Sequence, residues 1–509
     1  MAGTIRLLAA GLLAASVLAG TASGDTASGS ALKLRKAITL QGMKRHEQAL
    51  QAIANANGGI RAAGTPGFDA SVAYVVAQLE DAGYDPVVQS FEFPFFQELA
   101  PPTLALTAPA AKTYAAGTDF ATMTYSGGDD VTGAVEETAG NLFPPPPTPG
   151  SSAGCEASDF AGFTAGNVAL IQRGTCTFHD KALNAQNAGA SAVLIFNEGQ
   201  PGRTAVINGT LGSPDFTIPV LGTTFALGQE LHDLLVSGPV SVHVATSTIS
   251  ETRTAANVLA DAPGGDPDHV VVQGSHLDSV TTGPGINDNG SGSSYNLESA
   301  IQIAENNVKT RNKIRFAWWG AEEEGLLGSQ FYVDSLSDDE FATIAGNLNF
   351  DMIASPNFVR FVYDGDGSDT PTAGPPGSAE IEQIFLDWFA SAGLASAPTA
   401  FDGRSDYGPF IARGAPAGGL FTGAEGVKTE EQAGVYGGVA GEAYDRCYHQ
   451  ACDTASNLSD TAFDQMADAA ATALVTLGES KPAKTKPLSA AAARAHAAEA
   501  VFRGPRTQR

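Results

Sequence analysis

Hydrophobic positions recur along the chain with two periods, one typical of helices and one typical of strands. Residues 46–57 (HEQALQAIANAN) and 69–83 (DASVAYVVAQLEDAG) are amphipathic with helical spacing, whereas residues 87–93 (VVQSFEF) alternate as a strand does. From Ala255 onward, apolar runs such as VVVQGS, IRFAWWG and NLNFDM alternate with helical patterns. This alternation predicts an α/β fold with a mixed, mainly parallel central sheet flanked by helices.

The hydrophobic pattern changes in the middle of the chain. The loop PPPPTPG is too rich in proline to lie inside a helix or strand, and strand, helix and strand patterns then follow in residues 166–199. No candidate catalytic residues cluster there. We therefore predict a β-rich α+β insert at residues 125–246, which separates two parts of the main domain, residues 37–124 and 247–479.

Four histidines are expected to be structural or solvent-exposed and not to bind a metal. His46 falls on the polar side of the first amphipathic helix, where we expect it to face solvent. His179, His232 and His243 lie in the predicted insert without metal-binding neighbours in the sequence.

Both ends of the chain differ from the rest in composition. Residues 1–24 combine Arg6, the apolar run LLAAGLLAASVLAG and a small-residue cleavage site, as a secretory signal peptide does. The basic sequence ALKLRK offers a further processing site, so residues 25–36 could form a propeptide. Residues 480–509 are basic, rich in alanine and poor in bulky apolar side chains, and we expect them to be flexible or removed.

Length and charge narrow the class of protein. The chain has 509 residues, 43% hydrophobic content and a formal net charge of -27. This charge argues against nucleic acids and anionic membranes as partners. No stretch beyond the N-terminal run approaches ~20 uninterrupted apolar residues, the length that a membrane helix needs. We expect a secreted monomer that acts in the extracellular space or the periplasm.

The cysteines fit a secreted protein. Export makes disulfide bonds feasible, and four cysteines allow three pairings. Cys447 and Cys452 lie close together in the chain, and Cys155 and Cys176 flank one polar segment. We therefore expect the bonds Cys155–Cys176 and Cys447–Cys452.

Acidic residues and histidines follow several of the predicted strands. Because the carboxyl ends of parallel strands form one rim of a sheet, where ligands bind, we expect these side chains to meet. They are His276, Asp288, Glu322, Glu323, Asp351 and His449. His, Asp and Glu without free cysteine ligands favour zinc or another borderline divalent ion that acts as a Lewis acid.

The motifs around these residues resemble a known family. GSHLDS, GINDNGSG, WWGAEEEGLLGS, NFDMIASPN, GRSDYGPF and CYHQAC occur in the order found in the secreted, two-zinc aminopeptidases of family M28 from bacteria. The resemblance covers residues 41–478, and the insert resembles the protease-associated (PA) domain that often interrupts such peptidases. It implies a metallo-aminopeptidase with two Zn²⁺ ions per chain, acting on peptides or proteins with a free N-terminus.

The resemblance also implies a ligand set. His276 and Asp351 would bind one ion, Glu323 and His449 would bind the other, and Asp288 would bridge the two. The family has a cis peptide bond after the bridging residue.

Further roles follow from the same resemblance. Glu322 would be the general base, and Tyr448 would donate a hydrogen bond to the oxyanion. Asp278 would hold the second ring nitrogen of His276, although an aspartate at this place could equally cap the turn. Arg404 would lie near the terminus of the bound substrate.

The substrate pocket is implied less directly. Met352 and Phe421 would form the walls that contact the N-terminal side chain, which predicts a preference for apolar residues, but both could also belong to the core. The family often places a carboxylate shortly before the residue matching Arg404, to bind the free amine. In this sequence, Asp402 alone is acidic there.

Other functions are compatible with parts of the pattern. The nearest alternative is an M28-type carboxypeptidase or dipeptidase. A glutaminyl cyclase uses one zinc ion on a similar scaffold, but the two-metal ligand set argues against it. A non-catalytic binding protein on the same fold would have lost ligands, whereas this chain has all of them.

Overall fold

A computed structural model describes residues 24–481. The helices are α1 Gly24–Ala37, α2 Leu40–Ala56, α3 Pro66–Asp81, α4 Phe178–Asn187, α5 Phe225–Ser237, α6 Gly292–Glu305, α7 Leu327–Ser335, α8 Asp338–Phe341, α9 Ser378–Ser391, α10 Gly408–Ala412, α11 Glu430–Tyr436 and α12 Asp460–Glu479. The strands are β1 Val87–Ala108, β2 Lys112–Thr113, β3 Phe120–Thr122, β4 Asp129–Glu137, β5 Val168–Gln172, β6 Ala192–Phe196, β7 Val220–Thr223, β8 Ser241–Asp261, β9 Asp266–His276, β10 Asn312–Trp319, β11 Ile344–Phe350, β12 Phe361–Tyr363, β13 Ala397–Thr399 and β14 Ala417–Phe421.

The main part of the sheet has the order β13-β12-β14-β11-β9-β10-β8. Strand β9 lies between β10 and β11 and is parallel to both, and β14 is parallel to β11. The predicted α/β fold with a mainly parallel sheet is confirmed.

Both faces of this sheet are buried, which explains why its strands are continuous apolar runs. Successive residues of a strand point to opposite faces. Accordingly, Val271 and Trp318 pack in the core that contains α6, α9 and α12. Val272 and Trp319 pack in a second core, with Tyr332 of α7 and α10.

Strands β1 and β8 form a long antiparallel pair that joins two cores. Their register runs from Val87 opposite Leu259 to Ala108 opposite Ser241. Beyond this pair the sheet continues as β8-β4-β5-β6-β7-β3, and most of its neighbouring strands are parallel.

The packing bears on the division into domains. Phe95 and Ala255 pack in the main core, whereas Leu104 and Val244 pack in the smaller one. We therefore propose that the insert begins within β1 and ends within β8, because both strands cross from one core to the other.

The N-terminal helix α1 is part of the main core. Leu34 is fully buried, α1 packs against α12, and Arg35 forms an ion pair with Asp468 at 2.8 Å. The segment 25–36, which could form a propeptide by sequence, is thus integrated into the fold. The predicted signal peptide, residues 1–24, lies outside the described residues except for Gly24, and the predicted tail, residues 480–509, lies outside them except for residues 480 and 481.

His46 does not face solvent as predicted, and that expectation was wrong. Its side chain is buried because the polar side of α2 packs against α3 and α6. Nδ1 of His46 lies 2.7 Å from the hydroxyl of Tyr74, and Nε2 lies 3.2 Å from Oε2 of Glu298. Buried polar side chains need such partners, and here they come from neighbouring helices.

The histidines of the insert pair with nearby carboxylates, and His179 has two of them, Asp180 and Asp215. His232 lies 2.7 Å from Glu137, and His243 lies 2.7 Å from Asp130. His179 lies 3.4 Å from Asp215.

Both expected disulfide bonds, Cys155–Cys176 and Cys447–Cys452, are present in the structure. Within residues 24–481, no helix combines the length and the apolar content that crossing a bilayer requires.

Candidate metal centre

The candidate ligands meet at the carboxyl-terminal edge of the main sheet. His276 is the last residue of β9 and lies opposite Trp319, the last residue of β10. Glu322 and Glu323 follow β10 in a tight turn, and Asp351 directly follows β11. Parallel strands end at the same edge, so the sheet itself brings these side chains together.

Asp288 reaches the same edge from a π-helical turn, Ile286–Ser291. Within this turn Asp288 has non-helical angles, φ -107 and ψ 91, and a cis peptide bond joins it to Asn289, as the resemblance implied. Gly285 precedes the turn with φ 61, and a Cβ atom there would lie 2.4 Å from the carbonyl oxygen of Asp288. Only glycine fits at that position.

The ligand atoms form two groups that share Asp288. In the first trio, Nε2 of His276 lies 3.2 Å from Oδ1 of Asp288 and 3.4 Å from Oδ1 of Asp351. In the second trio, Nε2 of His449 lies 3.1 Å from Oδ2 of Asp288 and 3.1 Å from Oε2 of Glu323. Each oxygen of Asp288 therefore faces a different histidine.

Two of these oxygens lack hydrogen-bond partners among the described residues. Oδ1 of Asp351 and Oε1 of Glu323 are buried and accept no hydrogen bond there. Burying such atoms is costly unless something compensates them. The ligand atoms of His276, Asp288 and Glu323 lie within 4.8 Å of one another. Imidazole nitrogen and carboxylate oxygen at this spacing fit zinc.

The charges of the trios point the same way. Burial disfavours the Asp288 carboxylate, but hydrogen bonds from His276 and His449 hold its pKa well below the usual range. Burial also opposes the charged form of His449, yet Glu323 and Asp288 raise the pKa of His449 to about 10. The carboxylates of the trios are therefore stabilised by nearby positive charge. Protonated histidines supply that charge when only protein groups are considered, and a divalent cation would supply it in their place.

Glu322 belongs to neither trio. Its Oε2 lies 3.9 Å from Nε2 of His276, and its side chain is buried. Burial raises the pKa of Glu322 well above the usual range, and the nearby carboxylates of Glu323, Asp406 and Asp351 add to this effect. A carboxyl group with a raised pKa beside a metal site is suited to exchange protons.

Asp278 contacts the turn that carries the two glutamates. Its carboxylate accepts hydrogen bonds from the backbone N–H groups of Glu322 at 3.2 Å and Glu323 at 3.3 Å. Nδ1 of His276 lies 3.2 Å from the backbone carbonyl oxygen of Asp278 and 3.6 Å from its Oδ1. The carbonyl is therefore the nearer acceptor for the ring, and the carboxylate holds the turn.

An open cavity of about 70 Å³ adjoins both trios. It is lined by the residues expected to contact substrate, Met352, Phe421, Arg404 and Tyr448, and also by Asp402. Arg404 donates a hydrogen bond to the hydroxyl of Tyr448 at 3.4 Å and forms an ion pair with Glu425 at 2.9 Å.

Four further residues of the site were not singled out from the sequence. Arg61 is fully buried and donates hydrogen bonds to the carbonyl oxygens of Leu277, Pro284 and Gly285, next to His276 and Asp288. The other three are Ser405, which donates a hydrogen bond to Asp351 at 2.6 Å, and the buried aspartates Asp445 and Asp453. Three of these four contact backbone atoms of the site, and such contacts leave no pattern along a chain.

Two family models match the chain. Residues 257–474 match Peptidase family M28, and residues 138–231 match the PA domain.

Similar proteins carry one activity in their names. An aminopeptidase of Pseudomonas aeruginosa (strain UCBPP-PA14) is 46% identical over 447 residues, which cover 86% of this chain and 81% of that protein. Leucine aminopeptidase 2 of Trichophyton equinum is 50% identical over 307 residues, which cover 60% of this chain and 61% of that protein. The structure of an aminopeptidase from Aneurinibacillus sp. strain AM-1 superimposes with a TM-score of 0.60 and 27% identity, covering 89% of this chain and 97% of that one.

Proposed function

The chain belongs to peptidase family M28 and carries a PA domain, and from this membership we propose that it is a secreted aminopeptidase that holds two zinc ions and removes apolar residues from the N-termini of peptides and proteins. As a family member it is a zinc metallopeptidase of the aminopeptidase type. What we propose beyond this membership is the number of zinc ions, the roles of individual residues, the preferred N-terminal side chain and the export of the protein.

The division of Asp288 between two trios carries the proposal for two ions. His276 and Asp351 would hold one ion and Glu323 and His449 the other, while Asp288 gives one oxygen to each. When bound, zinc supplies a Lewis acid that acidifies water and polarises the scissile carbonyl.

Glu322 and Tyr448 would handle the proton and the developing charge. Glu322 takes a proton from the attacking water and returns it to the leaving amine, which its raised pKa favours. Burial and the charges of Asp288 and Glu323 raise the pKa of Tyr448, so its hydroxyl keeps its proton and can donate a hydrogen bond to the carbonyl oxygen as negative charge develops there.

The cavity beside the trios supports an N-terminal substrate with an apolar side chain. Met352 and Phe421 supply apolar wall, and the name of the Trichophyton relative points to leucine. The carboxylates of the trios and of Asp402 provide negative charge for a free amine. We propose that Arg404, which also lines this cavity, contacts the substrate.

Export is supported by the signal-like residues 1–24 and by the two disulfide bonds. We propose that the enzyme works outside the cytoplasm as a monomer.

One set of assays tests the activity. Leucine p-nitroanilide should be hydrolysed, whereas its N-acetyl form should not, and metal analysis of the active enzyme should return two zinc equivalents. Release of C-terminal residues from an N-blocked peptide would instead favour a carboxypeptidase, and cleavage of dipeptides alone would favour a dipeptidase. Absence of any peptide hydrolysis by zinc-loaded protein would favour a binding role.

A further inference from the structure

The two trios are supported in different ways. His276 and Asp351 stand at the ends of β9 and β11, which are neighbours in the sheet, so strand pairing fixes their separation. His449 lies in the segment 445–459, which contains neither helix nor strand. Its disulfide, Cys447–Cys452, ties this loop to itself and not to the rest of the site.

Two buried aspartates flank the disulfide loop and connect it to the turn that carries Asp288. Asp453 directly follows Cys452, and its two carboxylate oxygens accept hydrogen bonds from the backbone N–H groups of Asn287 at 2.9 Å and Asp288 at 3.0 Å. The backbone carbonyl of Asp453 also accepts from the N–H of Ile286 at 3.1 Å.

Asp445 makes the matching contact on the other side of the loop. It accepts a hydrogen bond from the side-chain amide of Asn287 at 2.7 Å and from the backbone N–H of Cys447 at 2.8 Å. The amide of Asn457 donates to Asp445 at 2.9 Å and to Asp453 at 3.3 Å, which links the two carboxylates. Asp445 and Asp453 are 2% and 1% exposed, so these hydrogen bonds have no competition from bulk water.

We propose that Asp453, assisted by Asp445, is a positioning residue that sets the distance between His449 and Asp288 and so controls how tightly the second trio holds its zinc ion. This inference rests on the proposed two-zinc function. It assigns Asp453 no contact with substrate. A further contact, from the hydroxyl of Thr282 to the backbone carbonyl of His449 at 2.7 Å, is exposed and holds only the tip of the loop.

The substitution Asp453→Asn tests the role with almost no change of shape. An amide offers one acceptor oxygen, and its NH₂ group would face one of the two backbone N–H donors. The turn and the loop should then separate on one side. Residues around metal ligands typically change metal affinity ~10–100-fold when replaced, and we expect a weakening of that size for one of two zinc ions.

The measurement is a zinc titration of metal-stripped protein against a chromogenic chelator. Wild-type protein should bind two equivalents, and Asp453→Asn should bind one with unchanged affinity and the second ~10–100-fold more weakly. Asp364→Asn is the matched control. Asp364 is also fully buried and accepts backbone N–H bonds from Gly367 and Asp369, and it lies outside both trios in an acidic cluster with Asp366 and Glu382, so its variant should bind both ions of the trios normally.

A double-mutant comparison separates positioning from general loosening of the fold. On a His449→Ala background, Asp453→Asn should leave the affinity of the remaining ion unchanged. On a His276→Ala background, which keeps the second trio, Asp453→Asn should weaken the binding of the remaining ion. Equal weakening on both backgrounds would overturn the inference.

Two outcomes distinguish a failure of this inference from a failure of the proposed two-zinc function. If wild-type protein binds one equivalent, the two-zinc function fails and this inference with it. If wild-type protein binds two and Asp453→Asn binds both as tightly, the inference alone fails. Should Asp453→Asn not fold, Asp445→Asn is the second test. It removes the hydrogen bond from the Asn287 side chain but keeps the two backbone N–H bonds that Asp453 accepts, and it should weaken the binding of the same ion.

Discussion

Oδ2 of Asp288 lies 3.1 Å from Nε2 of His449, although the two residues belong to separate segments of the chain. The other oxygen of Asp288 faces His276 at 3.2 Å. This single carboxylate therefore connects two sets of ligands.

Replacing Asp288 by alanine should abolish hydrolysis and reduce the bound zinc below two equivalents. The reason is that each trio loses one oxygen ligand at once. Metal analysis and the leucine p-nitroanilide assay measure both effects. A variant that keeps both ions and full turnover would show that Asp288 does not bridge.

Glu322→Gln should keep both zinc ions and the fold while kcat falls by ~10²–10⁴, the range typical of general acid–base catalysis. The amide preserves shape but cannot take a proton. Glu324→Gln, in the same turn, is the control and should stay near wild-type activity. Turnover of the Glu322 variant at the wild-type rate would remove it as the base.

Glu323→Gln should weaken zinc binding instead, because Oε2 of Glu323 lies 3.1 Å from His449 in the second trio. Excess zinc should restore part of the activity, which a zinc titration of the rate can follow. Loss of zinc from the Glu322 variant, with zinc retained in the Glu323 variant, would reverse the two roles.

Tyr448→Phe should lower kcat by ~10²–10³, as removal of an oxyanion donor does, with KM and zinc content close to wild type. The control is Tyr444→Phe. The hydroxyl of Tyr444 belongs to neither trio and donates a hydrogen bond to the side chain of Gln432 at 2.8 Å. If KM rises while kcat is unchanged, Tyr448 binds the ground state and not the developing charge.

The N-terminal helix should be retained in the mature enzyme. Leu34 is 0% exposed, and Leu34→Ala should destabilise the fold by ~2–5 kcal/mol, as core truncations of this size do. Leu32 is 47% exposed on the same helix, and Leu32→Ala should change stability by less than ~0.5 kcal/mol. Urea unfolding measures both. N-terminal sequencing of secreted protein should then find a start before Leu34; a start after Lys36 would show that α1 is removed.

The motifs alone predicted much of the site. His276 and Asp351 follow apolar runs that end strands, and the sheet brings such ends to one edge whatever the details of packing. The resemblance named the same residues, and the chemistry of the ligands indicated zinc. The fold class and the family are confirmed, while the individual roles stay predictions.

The tertiary structure decided what no local pattern encodes. The polar side of its helix predicted a solvent-exposed His46, yet Tyr74 and Glu298 approach it from other helices. Strands β1 and β8 extend from one core into the other, whereas the sequence pattern assigned these two parts of the chain to separate domains. A sequence pattern reports how each segment alternates between apolar and polar positions, but it does not report which segment arrives opposite.

The same limit applies most strongly at the metal centre. Types and order of the ligands were readable from the chain, but the assignment of each Asp288 oxygen to its own histidine was not. Nor was the role of the Asp453 carboxylate, which binds a backbone N–H group of the neighbouring turn. Every residue except proline carries the same backbone donor, so the sequence cannot mark which one is bound, and only the path of the chain through space selects it.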